Sequence, residues 1–205
     1  MGIDLPFVHL NLHKNPFGSL TLDEQAQLAI VDVDFFVEQL KCGPFRVQFL
    51  GDCGAGKTTH LLAIRKCFSD APYFHFAEGA PIPKIPQAPL LFLDETQRLP
   101  RQLLKSLLSQ KISLVIATHR NHSKILRRAN IPFESVKLNG LSDEKLQTWI
   151  ESRIEAVRRQ PGAIPQLEPH AAAKLRQKFG RDLRAIEDHL YDVFQSLEDI
   201  GHVTV

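Results

Sequence analysis

Leu28, Val31, Phe35 and Leu40 recur at helical spacing behind Thr21 and Glu24, which stand at capping-box separation. The pattern predicts a helix over residues 22–40, closed by Gly43 and Pro44. A short apolar run at 45–50 then leads into glycines, as a buried strand does, and a helix follows over 60–68. Further strand patterns at 73–77, 90–93, 112–117 and 136–138 enclose a helical stretch at 101–109, and Pro81, Pro83, Pro86 and Pro89 precede the third strand. Strands alternating with helices at this spacing imply an α/β fold with a parallel five-stranded sheet covered by helices. After Gly140 the pattern is helical throughout, over 142–156, 169–179 and 182–196. The expected organisation is an extended N-terminal arm at 1–19, marked by Pro6, Asn15, Pro16 and Gly18, an α/β domain at 20–139 and a small all-helical domain at 140–205. No internal repeat or low-complexity segment interrupts it.

With 205 residues, the chain is long enough to bury such a core without disulfides or structural metal. The first ten residues lack the features of a secretory signal, and no apolar stretch approaches the roughly 18 residues of a membrane span. A soluble cytoplasmic protein with no membrane insertion is therefore expected. Cys42, Cys53 and Cys67 form neither an even framework nor a CxxC pair and read as reduced thiols. The net charge of +2 is small, but the charges are segregated. Asp23, Glu24, Asp32, Asp34 and Glu38 crowd one segment, whereas Arg98, Arg101, Lys105, Lys111, Arg120, Lys124, Arg127 and Arg128 share a run that contains no acid. Opposite faces of this kind suit a head-to-tail homo-oligomer, with DNA as the rival occupant of the basic run.

The chemistry concentrates in four places. Gly51, Asp52, Cys53, Gly54, Ala55, Gly56, Lys57 and Thr58 spell the phosphate-binding pattern G-x-x-x-x-G-K-[ST], between an expected strand and an expected helix. Such glycines let backbone N–H groups converge on phosphate oxygens, and the helix N-terminus adds partial positive charge. Lys57 would then reach the β- and γ-phosphates of ATP, Thr58 would ligate Mg²⁺, and Thr59 would touch the α-phosphate. Asp94 and Glu95 end an apolar strand, where a parallel sheet sets them beside that loop. Asp94 can hold Mg²⁺ through water, and Glu95 can polarise an attacking water. Thr118 ends the next strand, where it either orients that water or merely begins a loop. Arg184 opens the last long helix after Gly180, within reach of a γ-phosphate or simply solvated.

Taken in order, these features resemble the AAA+ ATPase superfamily over about residues 15–197. The resemblance implies that Asp94 and Glu95 are the Walker B pair, Thr118 is sensor 1 and Arg184 is sensor 2 on a helical lid. The run Leu93-Asp-Glu-Thr-Gln-Arg-Leu99, the Asn15-Pro-Phe opening and the Leu141-Ser-Asp-Glu and Trp149-Ile-Glu-Ser-Arg153 stretches are similar to the subgroup of transposition-regulator and general-secretion ATPases. In that subgroup the segment ahead of the phosphate loop helps to enclose adenine. The helix that the superfamily carries between its second and third strands looks missing here, which disfavours a threading unfoldase. Arg127 and Arg128 lie about where the family places its arginine finger, with Arg120 as an outsider. The same pair fits a nucleic-acid patch or a solvated face.

The expected function is that of a Mg²⁺-dependent ATPase, slow without its partner, acting as an oligomeric switch or regulator on a protein or on DNA. DNA contact would fall on Arg98, Arg101, Lys105, Arg120, Lys124, Arg127 and Arg128. A nucleotide-stabilised adaptor or scaffold with slow turnover is the alternative, and a small-molecule kinase is disfavoured by Glu95, Thr118 and the helical lid.

Overall fold

The computed structural model describes residues 6–205, so the first five residues of the expected arm lie outside the described residues. Two units emerge, residues 25–139 and residues 1–24 together with 140–205. The helix expected over 22–40 is two helices, α1 (Leu22–Gln27) and α2 (Asp34–Cys42). The intervening Ile30, Val31 and Val33 are β-branched and lose side-chain freedom in a helix. Asp32 Oδ1 also accepts from Asp34 N at 3.4 Å, a local bond that opens a new helix instead of extending the old one. The capping box itself forms. Thr21 N donates to Glu24 Oε2 at 2.8 Å, and Glu24 N donates to Thr21 Oγ1 at 3.2 Å. The Lys14 ammonium, and the Thr21 N–H and hydroxyl that both donate to Oε2, hold the Glu24 carboxyl down at about 2.

Residues 25–139 build the sheet from β1 (Arg46–Leu50), β2 (Tyr73–His75), β3 (Leu90–Asp94), β4 (Ser113–Thr118) and β5 (Phe133–Lys137). All pairings are parallel, in the order β2-β3-β4-β1-β5. Successive side chains alternate between faces. Val47, Phe49, Phe92, Val115 and Ala117 therefore join one core with α2 and α3 (Lys57–Arg65). Leu91, Leu93, Leu114 and Ile116 join the other with α4 (Arg101–Ser109) and the short α5 (Ser123–Leu126). Between β2 and β3 there is no helix, only the proline-rich stretch 76–89.

On β1 the second face carries polar residues that its apolar reading concealed. Arg46 is fully buried and has no carboxylate partner among the described residues. Its guanidinium donates to Leu108 O at 2.7 Å, to Ile112 O at 3.1 Å and to Gln110 O, closing the carbonyl end of α4, where the helix dipole favours a cation. Burial pulls its pKa below the ordinary arginine value. Arg46→Leu should leave these carbonyls unsatisfied and cost about 3 kcal/mol. Native-state hydrogen exchange should register this as lost protection in β1, β4 and α4.

The other unit contains α6 (Asp143–Ala156), α7 (Ala171–Phe179) and α8 (Leu183–Gln195), with side-chain caps from Ser142 on α6 and Asp182 on α8. Helices thus follow the sheet in sequence. They are accompanied by a short parallel ladder absent from the helical reading, β6 (Gln166–Leu167) with β7 (His202–Val203). The described part of the expected arm is not a free extended segment. Val8–Leu10 form a 3₁₀ turn, Leu12 bridges to Arg158, and Leu10, Leu12 and Phe17 are buried in the core of the three helices. Three apolar side chains in eight residues are reason enough for that segment to fold inward.

Among the described residues no helix is long and apolar enough to cross a membrane. Cys42, Cys53 and Cys67 are exposed thiols.

Candidate nucleotide site

Strand register assembles the site. Leu50, the last residue of β1, pairs with Thr118 of β4 on one side and Lys137 of β5 on the other, while Asp94 of β3 pairs with Ala117. The phosphate-loop motif, the acid pair and Thr118 therefore leave the same carboxyl edge of the sheet, the edge at which open α/β sheets bind ligands. The loop turns from β1 into α3 through left-handed Gly54 (φ 75°) and Gly56 (φ 87°). At Gly51 a Cβ would lie 2.8 Å from the Ala55 Cβ and 3.1 Å from Leu138 O, so no side chain fits there. Lys57, the first residue of α3, is only 5% exposed, and its ammonium donates to Gly51 O at 3.0 Å and Asp52 O at 2.8 Å. Asp52 and Cys53 are exposed at the loop tip, and Thr58 and Thr59 are half-buried in the first turn of α3.

Asp94 is fully buried. Its Oδ2 accepts from Thr58 Oγ1 at 2.9 Å and from Tyr73 OH at 3.4 Å, and His75 Nδ1 lies 3.1 Å away. Burial first, and the Asp94 charge second, push the Tyr73 phenol above its ordinary range. The other oxygen, Oδ1, is buried and has no hydrogen-bond partner among the described residues. A hydroxyl and a carboxylate in contact, with one carboxylate oxygen orphaned, fit a hydrated Mg²⁺, which Thr58 and Asp94 would hold. Among the described residues no cluster of three or more His, Cys, Asp or Glu side chains offers a dedicated cage.

Glu95 adopts φ 62°, ψ 37°, a left-handed conformation that costs a non-glycine residue about 1–3 kcal/mol. Its backbone is held there by Glu95 N donating to Ala117 O at 2.9 Å and Arg98 N donating to Glu95 O at 3.0 Å. Its Oε2 accepts from Gln97 Nε2 at 2.7 Å and pairs with Arg98 Nη2 at 3.2 Å. His119 Nε2 stands 3.6 Å from Glu95 Oε1 and 3.3 Å from Lys57 Nζ, so an imidazole lies between the lysine and the glutamate.

Thr118 belongs to β4 and is fully buried, so it does not begin a loop. Its hydroxyl donates to Gln97 Oε1 at 3.2 Å and accepts from Arg120 N at 3.1 Å. The turn beyond it is fixed from β1. Buried Gln48 donates to Asn121, Ser123 and Ser135 side chains at 3.2, 2.7 and 2.9 Å and accepts from His122 N at 3.0 Å. Burial, then the Arg120 charge, hold His122 below its ordinary pKa.

Lys57, Thr58, Asp94, Glu95 and Thr118 are thus brought together at one edge. Arg127 and Arg128 are exposed in a 3₁₀ turn after α5. Arg184 lies in the other unit, in the first turn of α8, where Asp182 Oδ1 accepts from its backbone N–H at 3.0 Å. Gln97 stands in the run Leu93–Leu99 without a role of its own, and Gln48 and His119 carry no motif that marks them in advance. Gln97 and His119 can be found only by asking what lies within two residues of an acid pair or of a strand-ending threonine.

No protein-family model and no curated protein sequence matches the chain. Its structure is similar to that of Cdc6p from Pyrobaculum aerophilum, with a TM-score of 0.53 and 14% identity over 87% of this chain and 64% of that one. It is also similar to NtrX from Brucella abortus in complex with ADP, with a TM-score of 0.53 and 16% identity over 87% of this chain and 55% of that one. The Holliday junction branch migration motor RuvB of Thermotoga maritima has a TM-score of 0.50 and 21% identity over 90% of this chain and 66% of that one. The chain therefore spans less than two thirds of the length of each of these structures. The likeness shows the fold: this chain shares the α/β fold of these structures, a parallel sheet followed by helices.

Proposed function

We propose that this chain, folded as an AAA+ ATPase, binds ATP and Mg²⁺ at Gly51–Thr59 and hydrolyses the nucleotide as an oligomeric switch or regulator. The carrying observation is that the phosphate loop, the Thr58–Asp94 pair, Glu95 and Thr118 leave one edge of the sheet. Lys57 would exchange its bonds to Gly51 O and Asp52 O for β- and γ-phosphate oxygens. Thr58 and Asp94 would hold a Mg²⁺ that neutralises charge developing on the phosphates. Glu95 would take a proton from the attacking water while Thr118 fixes that water, and the candidate second sensor is Arg184. Arg127 or Arg128, both exposed, is the candidate finger for a neighbouring subunit.

Titration calorimetry tests the reading directly. The parent protein should bind ATP and ADP more tightly with Mg²⁺ than without it. Lys57→Met, which removes a charge-assisted contact, should weaken ATP binding about 10²-fold. Equal affinity in the two proteins would refute the assignment of the loop.

For the partner, all eight cations of the acid-free run from Arg98 to Arg128 are exposed. This supports an anionic partner face, taken either by the acidic segment of a second copy or by DNA. The adaptor or scaffold alternative draws support from the helix-free stretch 76–89, which lacks the element that substrate-handling loops occupy in the superfamily. Assembly size in ATP, in ADP and without nucleotide separates the two. A scaffold persists in the Glu95→Gln protein with ATP bound, whereas a switch cycles between sizes as ATP is consumed.

A further inference from the structure

Gln97 stands between two residues of the proposed hydrolytic machinery. Its Nε2 donates to Glu95 Oε2 at 2.7 Å, and its Oε1 accepts from Thr118 Oγ1 and from His119 N, both at 3.2 Å. The orientation of the amide is fixed chemically, because a carboxylate only accepts and a backbone N–H only donates. Its backbone is equally constrained. Gln97 is the middle residue of a single 3₁₀ turn, Thr96–Arg98, that starts directly after left-handed Glu95. Arg98 N donates to Glu95 O at 3.0 Å and Leu99 N to Thr96 O at 3.1 Å, closing the turn on both sides. Buried Thr96 anchors it through a hydroxyl 3.3 Å from His122 Nε2.

We propose that Gln97 is a positioning residue for ATP hydrolysis, locking the Glu95 carboxylate to the Thr118 hydroxyl so that both address the same attacking water. This inference rests on the ATPase reading. A glutamate side chain has three rotatable bonds, and one on a strained backbone needs an external reference to point at a water. Gln97 supplies that reference by tying the carboxylate to Thr118, at the end of the neighbouring strand β4. Gln97 and Arg98 both bind Oε2, so Oε1, 3.6 Å from His119 Nε2, is the oxygen left facing the water. Misplacing a catalytic group by about 1 Å can cost about 10²-fold in rate without touching ground-state binding.

The test separates chemistry from binding. Gln97→Leu should lower kcat about 10²-fold while leaving KM, and the affinities for ATP and ADP, within about twofold of the parent. Its affinity for ADP–aluminium fluoride with Mg²⁺, a mimic of the phosphoryl group in transfer, should fall in step with kcat. Gln97→Glu keeps the acceptor for Thr118 and His119 but sets a carboxylate against Glu95, and should lose kcat as well. Thr118→Val combined with Gln97→Leu should be no slower than the slower single variant, because the two act through one arrangement. If ATP, ADP and the mimic weaken together and the melting temperature falls, Gln97 is only a structural prop and the inference is overturned. A parent that turns over ATP, stops in Glu95→Gln and continues in both Gln97 variants defeats this inference alone. A parent that never turns over ATP defeats the ATPase reading and this inference with it.

Discussion

Glu95→Gln is expected to retain ATP with the affinity of the parent and to cleave it about 10³-fold more slowly, in the range attributed to a positioned general base. The substitution is isosteric, and the contacts around it dictate how the new amide must sit. Gln97 Nε2 and Arg98 Nη2 both point at Oε2, so an acceptor has to occupy that position. The oxygen of the new amide goes there, and its NH₂ takes the place of Oε1. The attacking water would then meet a donor where it needs an acceptor. Substitution should therefore leave the packing of the site unchanged and invert the polarity of one atom. Equilibrium ATP binding with single-turnover phosphate release measures both halves of the expectation, and a variant that hydrolyses at the parent rate would remove Glu95 from the mechanism. The same protein interrogates the exposed arginines. Glu95→Gln subunits carry an intact Arg127, and Arg127→Ala subunits carry an intact Glu95. Mixing two slow variants should restore hydrolysis if the arginine acts across a subunit boundary. No recovery with either Arg127→Ala or Arg128→Ala, in a protein that does assemble, would exclude catalysis in trans by this pair.

The parts of the site that were readable in advance are those whose chemistry constrains the backbone. Gly54 and Gly56 take left-handed conformations and Gly51 has no room for a Cβ, so the loop advertises itself in residue type. Asp94 could be read because it closes an apolar strand that a parallel sheet sets beside the phosphate loop. Gln97 was not readable as a working residue. Its importance depends on a 3₁₀ turn that brings it back over Glu95, and no hydrophobic periodicity encodes a single turn. Arg46 and Gln48 were hidden for a related reason. A central strand between two cores is expected to be apolar on both faces, yet here one face of β1 carries a guanidinium and an amide satisfied by neighbouring carbonyls, hydroxyls and a side-chain amide. The break between α1 and α2 was obscured because Leu28 and Val31 keep helical spacing across a segment whose β-branched residues disfavour a helix. The inward course of the first described residues was obscured by Pro6, Pro16 and Gly18. These set the local turns of the segment, while Leu10, Leu12 and Phe17 determine where it packs.

That segment carries the largest stability effect we expect. Arg153→Ala should destabilise the unit of residues 1–24 and 140–205 by about 3–5 kcal/mol. The Arg153 side chain is 2% exposed, and each branch of its guanidinium is committed. Nε donates to Pro16 O at 2.8 Å, Nη2 to Gly18 O at 3.0 Å and Nη1 to Glu187 Oε1 at 2.7 Å, tying α6 to α8 and to the N-terminal segment. The same group lies 5.6 Å from the Phe17 ring centroid and 5.5 Å from that of Trp149, so it is also held by cation–π attraction. Asn15 completes the clamp by donating to Tyr191 O at 3.0 Å and accepting from Phe17 N at 3.0 Å. The ion pair is the smaller part of the effect. The Glu187 side chain is 32% exposed and can be rehydrated, so Glu187→Gln should cost about 1 kcal/mol or less. Truncating the arginine instead strands two backbone carbonyls and opens a cavity between two rings, neither of which solvent can repair. Trp149 is the only tryptophan in the chain and sits against Arg153, so its fluorescence in a urea titration reports this unit without interference. A midpoint in Arg153→Ala equal to that in Glu187→Gln would mean that the salt bridge, not the carbonyl clamp, carries the stabilisation.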